Sequence, residues 1–278
     1  MSLSVNHNSS ALAALAALNR TTDDLAATNT RISSGLKVAQ SKDNASVFAV
    51  AQSQRADVQA LSAVTDGLNR AQSISDLAIS AGQSVSDLLT ILKQKALAAT
   101  DTTLDATSRA ALNTDFQSTL QRITQTVQAS SFDGSNLLDG SLTGGLAFIA
   151  SADASSSITL IGQNFSLGGS AITVPSTGDI STPTNAAAML SLAESSITNV
   201  NLAVANLGAQ SDQITAHSSF VTKLSDSLKV GVGNLVDADV AAESARLTAL
   251  QVQQQLGAQS LSIANQTPQI ILSLFKAG

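Results

Sequence analysis

Cysteine is absent from all 278 residues, which removes disulfides, thiolate metal sites and cysteine nucleophiles together. Tryptophan and tyrosine are absent as well, leaving seven phenylalanines as the only aromatics. Charge is scarce: Asp, Glu, Lys and Arg make up 12% of the chain, about half the share of an ordinary globular protein. The net charge of -6 argues against nucleic acid, whose phosphates demand clustered Lys and Arg. No Lys or Arg falls between Arg122 and Lys223. No run of about twenty strongly apolar residues is present either, so no membrane insertion is expected. The N-terminus, MSLSVNHNSSALAALAALNR, lacks the basic n-region of a cleaved signal peptide, so a chain of this kind that leaves the cell needs another export route.

What is abundant is Ala, Ser, Thr, Leu, Asn and Gln, a composition suited to close packing of helices. Near the N-terminus, Leu15, Leu18, Thr22, Leu25, Asn29, Ile32 and Leu36 recur at spacings of three and four, which places them on one helix face. Ser33, Ser34 and Gly35 are expected to end that helix and open a connector, with Gly35 as the C-terminal cap. After LKVAQSKDN, Asp43 or Asn44 can cap a second helix from about Ala45 to Ala99. Its seam reads Leu61, Val64, Leu68, Ala71, Ser75, Ala78, Gly82, Val85, Leu89, Leu92, Ala96. A helix of that span is roughly 80 Å long. A shorter helix then carries Leu112, Phe116, Leu120, Ile123 and Val127.

Character changes after residue 130. SSFDGSNLLDGSLTGG has the composition of turns, and LAFIAS, SITLIG and SAITV read as short strands. Helix resumes near Thr184 or Asn185 with a seam from Leu190 through Val200, Leu207, Ile214 and Val221 to Leu228, and Gly231 and Gly233 are expected to end it. The last helix begins near DAD, where Asp237 and Asp239 suit the positive end of a helix dipole. The order helix, long helix, β insert, long helix, helix predicts a mainly α fold: a long antiparallel helical rod with terminal coiled-coil helices and a small β-hairpin region at its tip.

The final helix poses its own problem. From Leu247 to Phe275 it carries no charge, yet it contains Gln251, Gln253, Gln254, Gln255, Gln259, Asn265 and Gln266. On a helical wheel it has two apolar stripes. Leu247, Leu250, Leu261, Ala264 and Ile271 form one; Val252, Leu256, Ile263, Ile270 and Leu274 form the other. Two stripes require neighbours on two sides, and the N-terminal helix covers only one. The rest is expected to be covered by other copies of the chain, with both ends ordering on assembly. The expected subunit-interface residues are Leu15, Leu18, Leu25, Ile32, Leu247, Leu250, Leu256, Leu261, Ile263, Ile271, Leu274 and Phe275.

Chemistry-bearing residues are few. His7 and His217 have no Cys or carboxylate cluster at ligand spacing, so both read as surface or interface residues. Asp237, Asp239 and Glu243 are better explained as helix-start carboxylates than as a metal or acid-base site. GVGN follows a helix and lacks the lysine of a phosphate-binding loop. No catalytic residue, metal or cofactor is expected, and the chain reads as a non-enzyme.

Two segments carry a family resemblance. RISSGLKVAQSKDNAS at residues 31–46 and NLVDADVAAESARLTALQVQQQLGAQSLSIANQTPQIILSLF at residues 234–275 resemble the two terminal signatures of bacterial flagellin, and FDGSNLL is similar to that family too. The resemblance implies a structural subunit that self-assembles into a filament. It implies a terminal coiled-coil domain of 1–36 with 236–278 that builds an inner tube, connectors at 37–44 and 229–235, and a helical domain of 45–228 with its β region at about 132–180. It also implies secretion through the flagellar type III apparatus to the extracellular filament. The partners so implied are the chain itself, an export chaperone, and the cap and hook-junction proteins. A hook-filament junction protein of the same superfamily is the alternative, and a helical signalling rod a more distant one.

Overall fold

Side-chain caps start the helices, and Gly35 ends the first. In the computed structural model the described residues are 8–276, with side chains described for 8–266. The helices are α1 (Ser9–Ser34), α2 (Ala45–Ala99), α3 (Ala106–Ala129), α4 (Pro183–Val236) and α5 (Val240–Lys276). The strands β1 (Ser131–Phe132), β2 (Ser135–Asn136), β3 (Leu146–Ile149) and β4 (Ser157–Leu160) lie between α3 and α4. The chain divides into two compact units, residues 1–56 with 228–278, and residues 57–227.

In the unit formed by 57–227, the predicted seam of α2 is realised position by position. Leu61, Val64, Leu68, Ala71, Ser75, Ala78, Val85, Leu89, Leu92 and Ala96 are all buried. The opposing face of α4 buries Ala193, Val200, Leu207, Ile214 and Val221. The two helices run antiparallel, since Gln72 Nε2 donates to Ser211 Oγ, Ser86 Oγ donates to Asn201 Oδ1, and Lys93 pairs with Glu194 at 3.1 Å. Helix α3 starts at Asp105, whose side chain accepts from the backbone N–H of Ser108. Arg109, also buried, donates from Nε to Ala99 O and from a terminal nitrogen to Asp101 O. It thereby satisfies the Ala99 carbonyl, which the end of α2 leaves without a helical partner, and ties the turn that follows to α3.

The turn chemistry is equally local. Asp133 and Gly134 both have positive φ, 50° and 76°, the requirement of a two-residue hairpin turn, and they join β1 to β2. Strands β3 and β4 pair antiparallel with Leu146 opposite Leu160 and Phe148 opposite Ile158. The third expected strand, at residues 170–174, does not form. Its alternation does bury Ile172 and Val174, but its backbone groups go elsewhere. The Ala171 N–H donates to Asn164 O, that of Thr173 to Ser196 Oγ, and Val174 O accepts from Gly168 N. Burial supplied the period of two, and no strand neighbour completes a ladder.

In the unit of 1–56 with 228–278, Gly35 ends α1 in the left-handed region at φ 70°. Residues Leu36 and Asp237 form an isolated antiparallel bridge. Around it, Lys37 N and Val38 N donate to Val236 O, and Ala238 N donates to Gly35 O. Val38, Ala51, Val232 and Val236 form a small buried cluster with Leu36, Val47, Phe48 and Leu235 packed against it. That cluster corrects the expected connector at 229–235, which is instead the final two turns of α4. A helical glycine costs only about 1 kcal/mol against Ala, and burying Val232 and Val236 outweighs Gly231 and Gly233.

Candidate assembly surface

Helices α1 and α5 pair along their lengths. Asn8 caps α1 by accepting from Ala11 N and also donates from Nδ2 to Ala264 O at 2.8 Å. At the other end Arg31 pairs with Glu243 at 3.3 Å, so the helices are antiparallel. Asp239 caps α5 by accepting from Ala241 N and Ala242 N. The acidic group is therefore accounted for by a cap, an ion pair and, at Asp237, the bridge to Leu36. Among the described residues no group of three or more His, Cys, Asp or Glu could hold a metal. No helix among them is long and apolar enough to cross a membrane.

The pairing is thin. Thr28 and Leu250 are the buried residues among the described side chains of the two helices. Half-buried beside them are Ala11, Ala14, Leu18, Thr21, Leu25 and Ile32 on α1, and Leu247, Gln254, Gly257, Leu261 and Ala264 on α5. A Cβ placed on Gly257 would stand 3.3 Å from Leu18 Cδ1, so the glycine marks close approach.

Of the expected interface residues, Leu18, Leu25, Ile32, Leu247, Leu250 and Leu261 thus fall on the mutual face of the pair. Leu15 does not: it is 42% exposed, and Thr22 and Asn29 from the same predicted seam are exposed too. The face that packs is one residue over, through Ala14, Thr21 and Thr28, because small residues let the backbones approach. The second stripe of α5 points away from α1, with Val252 51%, Leu256 58% and Ile263 61% exposed. On α1, Leu12 is 61% exposed. The side chains of Ile270, Ile271, Leu274 and Phe275, and residue His7, lie outside the described residues. Ser33 and Ser34, expected as connector, form the last turn of α1; Ser33 Oγ donates to Thr30 O and Ser34 Oγ accepts from Leu36 N.

This arrangement can do no evident chemistry on a small molecule, but it presents an uncharged apolar face along a helix that has already used its other face. Comparison with known proteins gives the context. The model of the bacterial flagellin N-terminal helical region matches residues 5–143, and that of the C-terminal helical region matches residues 190–275. Flagellin FljJ of Caulobacter vibrioides is 51% identical over 284 residues, covering 100% of both chains. The chain belongs to the bacterial flagellin family. Flagellin FljM of the same organism is 43% identical over 98% of both chains, and a flagellin of Brucella melitensis is 36% identical over 98% of this chain and 99% of its own. This flagellin is a structural subunit of the flagellar filament. As the order of helical and β segments predicted, the fold is mainly α with long helices and small antiparallel sheets.

Two features of the site escaped sequence reading. The ion pair of Arg31 with Glu243 joins residues 212 positions apart, and no local signal links them. The packed face of α1 is carried by Ala and Thr, which give periodicity little contrast.

Proposed function

We propose that the α1–α5 pair builds the inner tube of the filament, with the second stripe of α5 as the seam between subunits. The observation that carries this is the exposure of Val252 and Leu256, at 51% and 58%, in a segment without charge whose other stripe already faces α1. Water solvates such a face poorly. Helices of neighbouring subunits would remove it from water and leave the glutamines to bond laterally or face a wet channel. Leu256 and Ile263 are then contacts between subunits, while Leu18, Leu25, Ile32, Leu247, Leu250 and Leu261 hold the pair together within one subunit.

The protein works by assembly, without catalysis. It is secreted through the flagellar export apparatus and acts in the extracellular filament. Its other partners are an export chaperone, the filament cap and the hook-junction proteins. Membership of the flagellin family supports these roles.

Seeded polymerisation of purified subunits tests the seam. Leu256→Asp is expected to abolish elongation while leaving the circular dichroism and melting of the free subunit unchanged. Normal filaments from that variant would contradict the assignment.

A further inference from the structure

Isomerisation of an aspartate to isoaspartate needs a following backbone nitrogen that can reach the side-chain carboxyl. Glycine, with no Cβ and the widest backbone freedom, hinders that approach least. The chain has three such pairs, Asp66–Gly67, Asp133–Gly134 and Asp139–Gly140, and each sits in a different environment. Asp66–Gly67 lies within α2, where the helical ladder fixes the backbone and takes up the Gly67 N–H. At Asp139–Gly140 the carboxyl is already used: its Oδ1 accepts from the N–H and the hydroxyl of Ser141, at 2.8 Å and 2.6 Å. Asp139 also forms a bridge with Asn164, and its carbonyl accepts from the Ser166 hydroxyl. A Cβ on Gly140 would stand 2.7 Å from Asn164 Cγ, so this pair is packed in.

Asp133–Gly134 has none of these restraints. Both residues of this turn between β1 and β2 are exposed, and a Cβ on Gly134 would meet nothing within 4 Å. Among the described residues no acceptor takes the Gly134 N–H. Arg70 stands 3.6 Å from the Asp133 carboxylate, longer than a hydrogen bond. The φ of Asp133 is 50°, a region that residues other than glycine seldom occupy. The strands it joins are two residues each, and so short a hairpin is marginal by itself. The turn can therefore open locally without disturbing the buried Asn136, Leu137 and Leu138 that follow.

We propose that Asp133 is a site of spontaneous covalent modification, converting to isoaspartate through a succinimide closed by the Gly134 nitrogen. That nitrogen attacks Cγ of the Asp133 carboxyl in its acid form. A C–N bond forms, the C–OH bond breaks, and the hydroxyl leaves as water with the nitrogen's proton. A second water then opens the ring. Attack at Cγ restores aspartate, whereas attack at the main-chain carbonyl breaks its bond to the Gly134 nitrogen and leaves the chain running through the side chain. The net change is an isomerisation, with no oxidant, reductant or cofactor consumed. The product carries one more main-chain atom and a relocated carboxylate, so the pairing of Phe132 with Ser135 across a two-residue turn is lost. The converted fraction grows with the age of the chain, and the reaction needs nothing from the assembly reading above.

The test ages the full-length protein at neutral pH and physiological temperature, folded in one arm and in urea in the other. Isoaspartate is counted by methyl transfer from labelled S-adenosylmethionine with an isoaspartyl methyltransferase, and located by electron-transfer fragmentation of peptides. In the folded chain, conversion at position 133 is expected to exceed that at 66 and 139 by about tenfold, because local opening is confined to the turn. In urea the three positions should converge. Asp133→Glu, whose longer side chain would have to close a larger ring, should remove most of the methyl acceptance of the folded chain, and Asp139→Glu should leave it unchanged. Equal conversion at 133 and 139 in the folded protein, or full methyl acceptance by Asp133→Glu, would overturn the proposal. So would an unconverted position 133 in folded protein at a time when the chain in urea is converted at all three.

Discussion

The α1–α5 pair and the α2–α4 pair are both antiparallel and both poor in charge, yet they bury their seams to very different depths. Between α2 and α4, Leu68, Leu89, Leu92, Val200 and Leu207 have no exposed surface. Between α1 and α5, the described side chains offer Thr28 and Leu250. The first pair also packs against α3 and the loops that follow it, as Lys95 with Asp115 and Thr173 with Ser196 show. The second has Leu12, Val252 and Leu256 still in water. Similar helices thus teach that amphipathicity alone does not make a self-sufficient unit. Depth comes from a third partner, and for the terminal pair the partner we propose is other copies of the chain.

The sharpest way to break this comparison is to cut the two seams alike. Leu89→Ala is expected to destabilise the free subunit by about 3 kcal/mol, read as a lowered melting temperature. Leu256→Ala should change the same melt by less than about 0.5 kcal/mol while slowing polymerisation. Equal losses from both would remove the contrast. Next in size, Arg109→Ala should cost about 2 kcal/mol, the worth of charge-assisted bonds to Ala99 O and Asp101 O. That loss is expected in the melt of the free subunit, with normal filaments once folded.

Gly35→Ala sharpens the other side. The residue sits at φ 70°, where a side chain costs about 1 kcal/mol. The variant is expected to weaken amide protection of residues 36–38 and to lower assembly yield, with the α2–α4 seam unaffected. The smallest effect concerns pH. Hydrogen bonds from the Ser151 hydroxyl first, then from the Ser155 hydroxyl and N–H, hold the Asp153 carboxyl down to a pKa of about 2. A depressed folded pKa gives a contribution that is present above the unfolded value near 4 and is lost as pH falls toward 2. Amide protection of Ser155 and Ser156 should therefore decline across that window, and Asp153→Asn should remove the dependence.

Much of this was legible in residue spacing. Every predicted position of the α2 seam that bears a side chain is buried, because Leu and Val at three-four spacing leave one helical solution. The two stripes of α5 were readable for the same reason, and they separate in the structure into a face toward α1 and a face toward water. Legibility failed where small residues carry the packing. On α1 the eye follows Leu15, but Ala14, Thr21 and Thr28 lie on the packed face, where small residues let the backbones approach, as Gly257 does beside Leu18. It failed again at Gly231 and Gly233, where the buried cluster around Val232 and Val236 overrides local propensity, and at residues 170–174, where alternation is real but no strand lies alongside.

Hydrogen exchange on the free subunit and on the filament tests the central claim most directly. Residues 9–32 and 243–264 are expected to show weak amide protection in the dilute free subunit, rising strongly in the filament, while residues 61–96 are protected in both. Strong protection of the two terminal helices in the free subunit would contradict it, because the pair would then need no other copy to hold its structure.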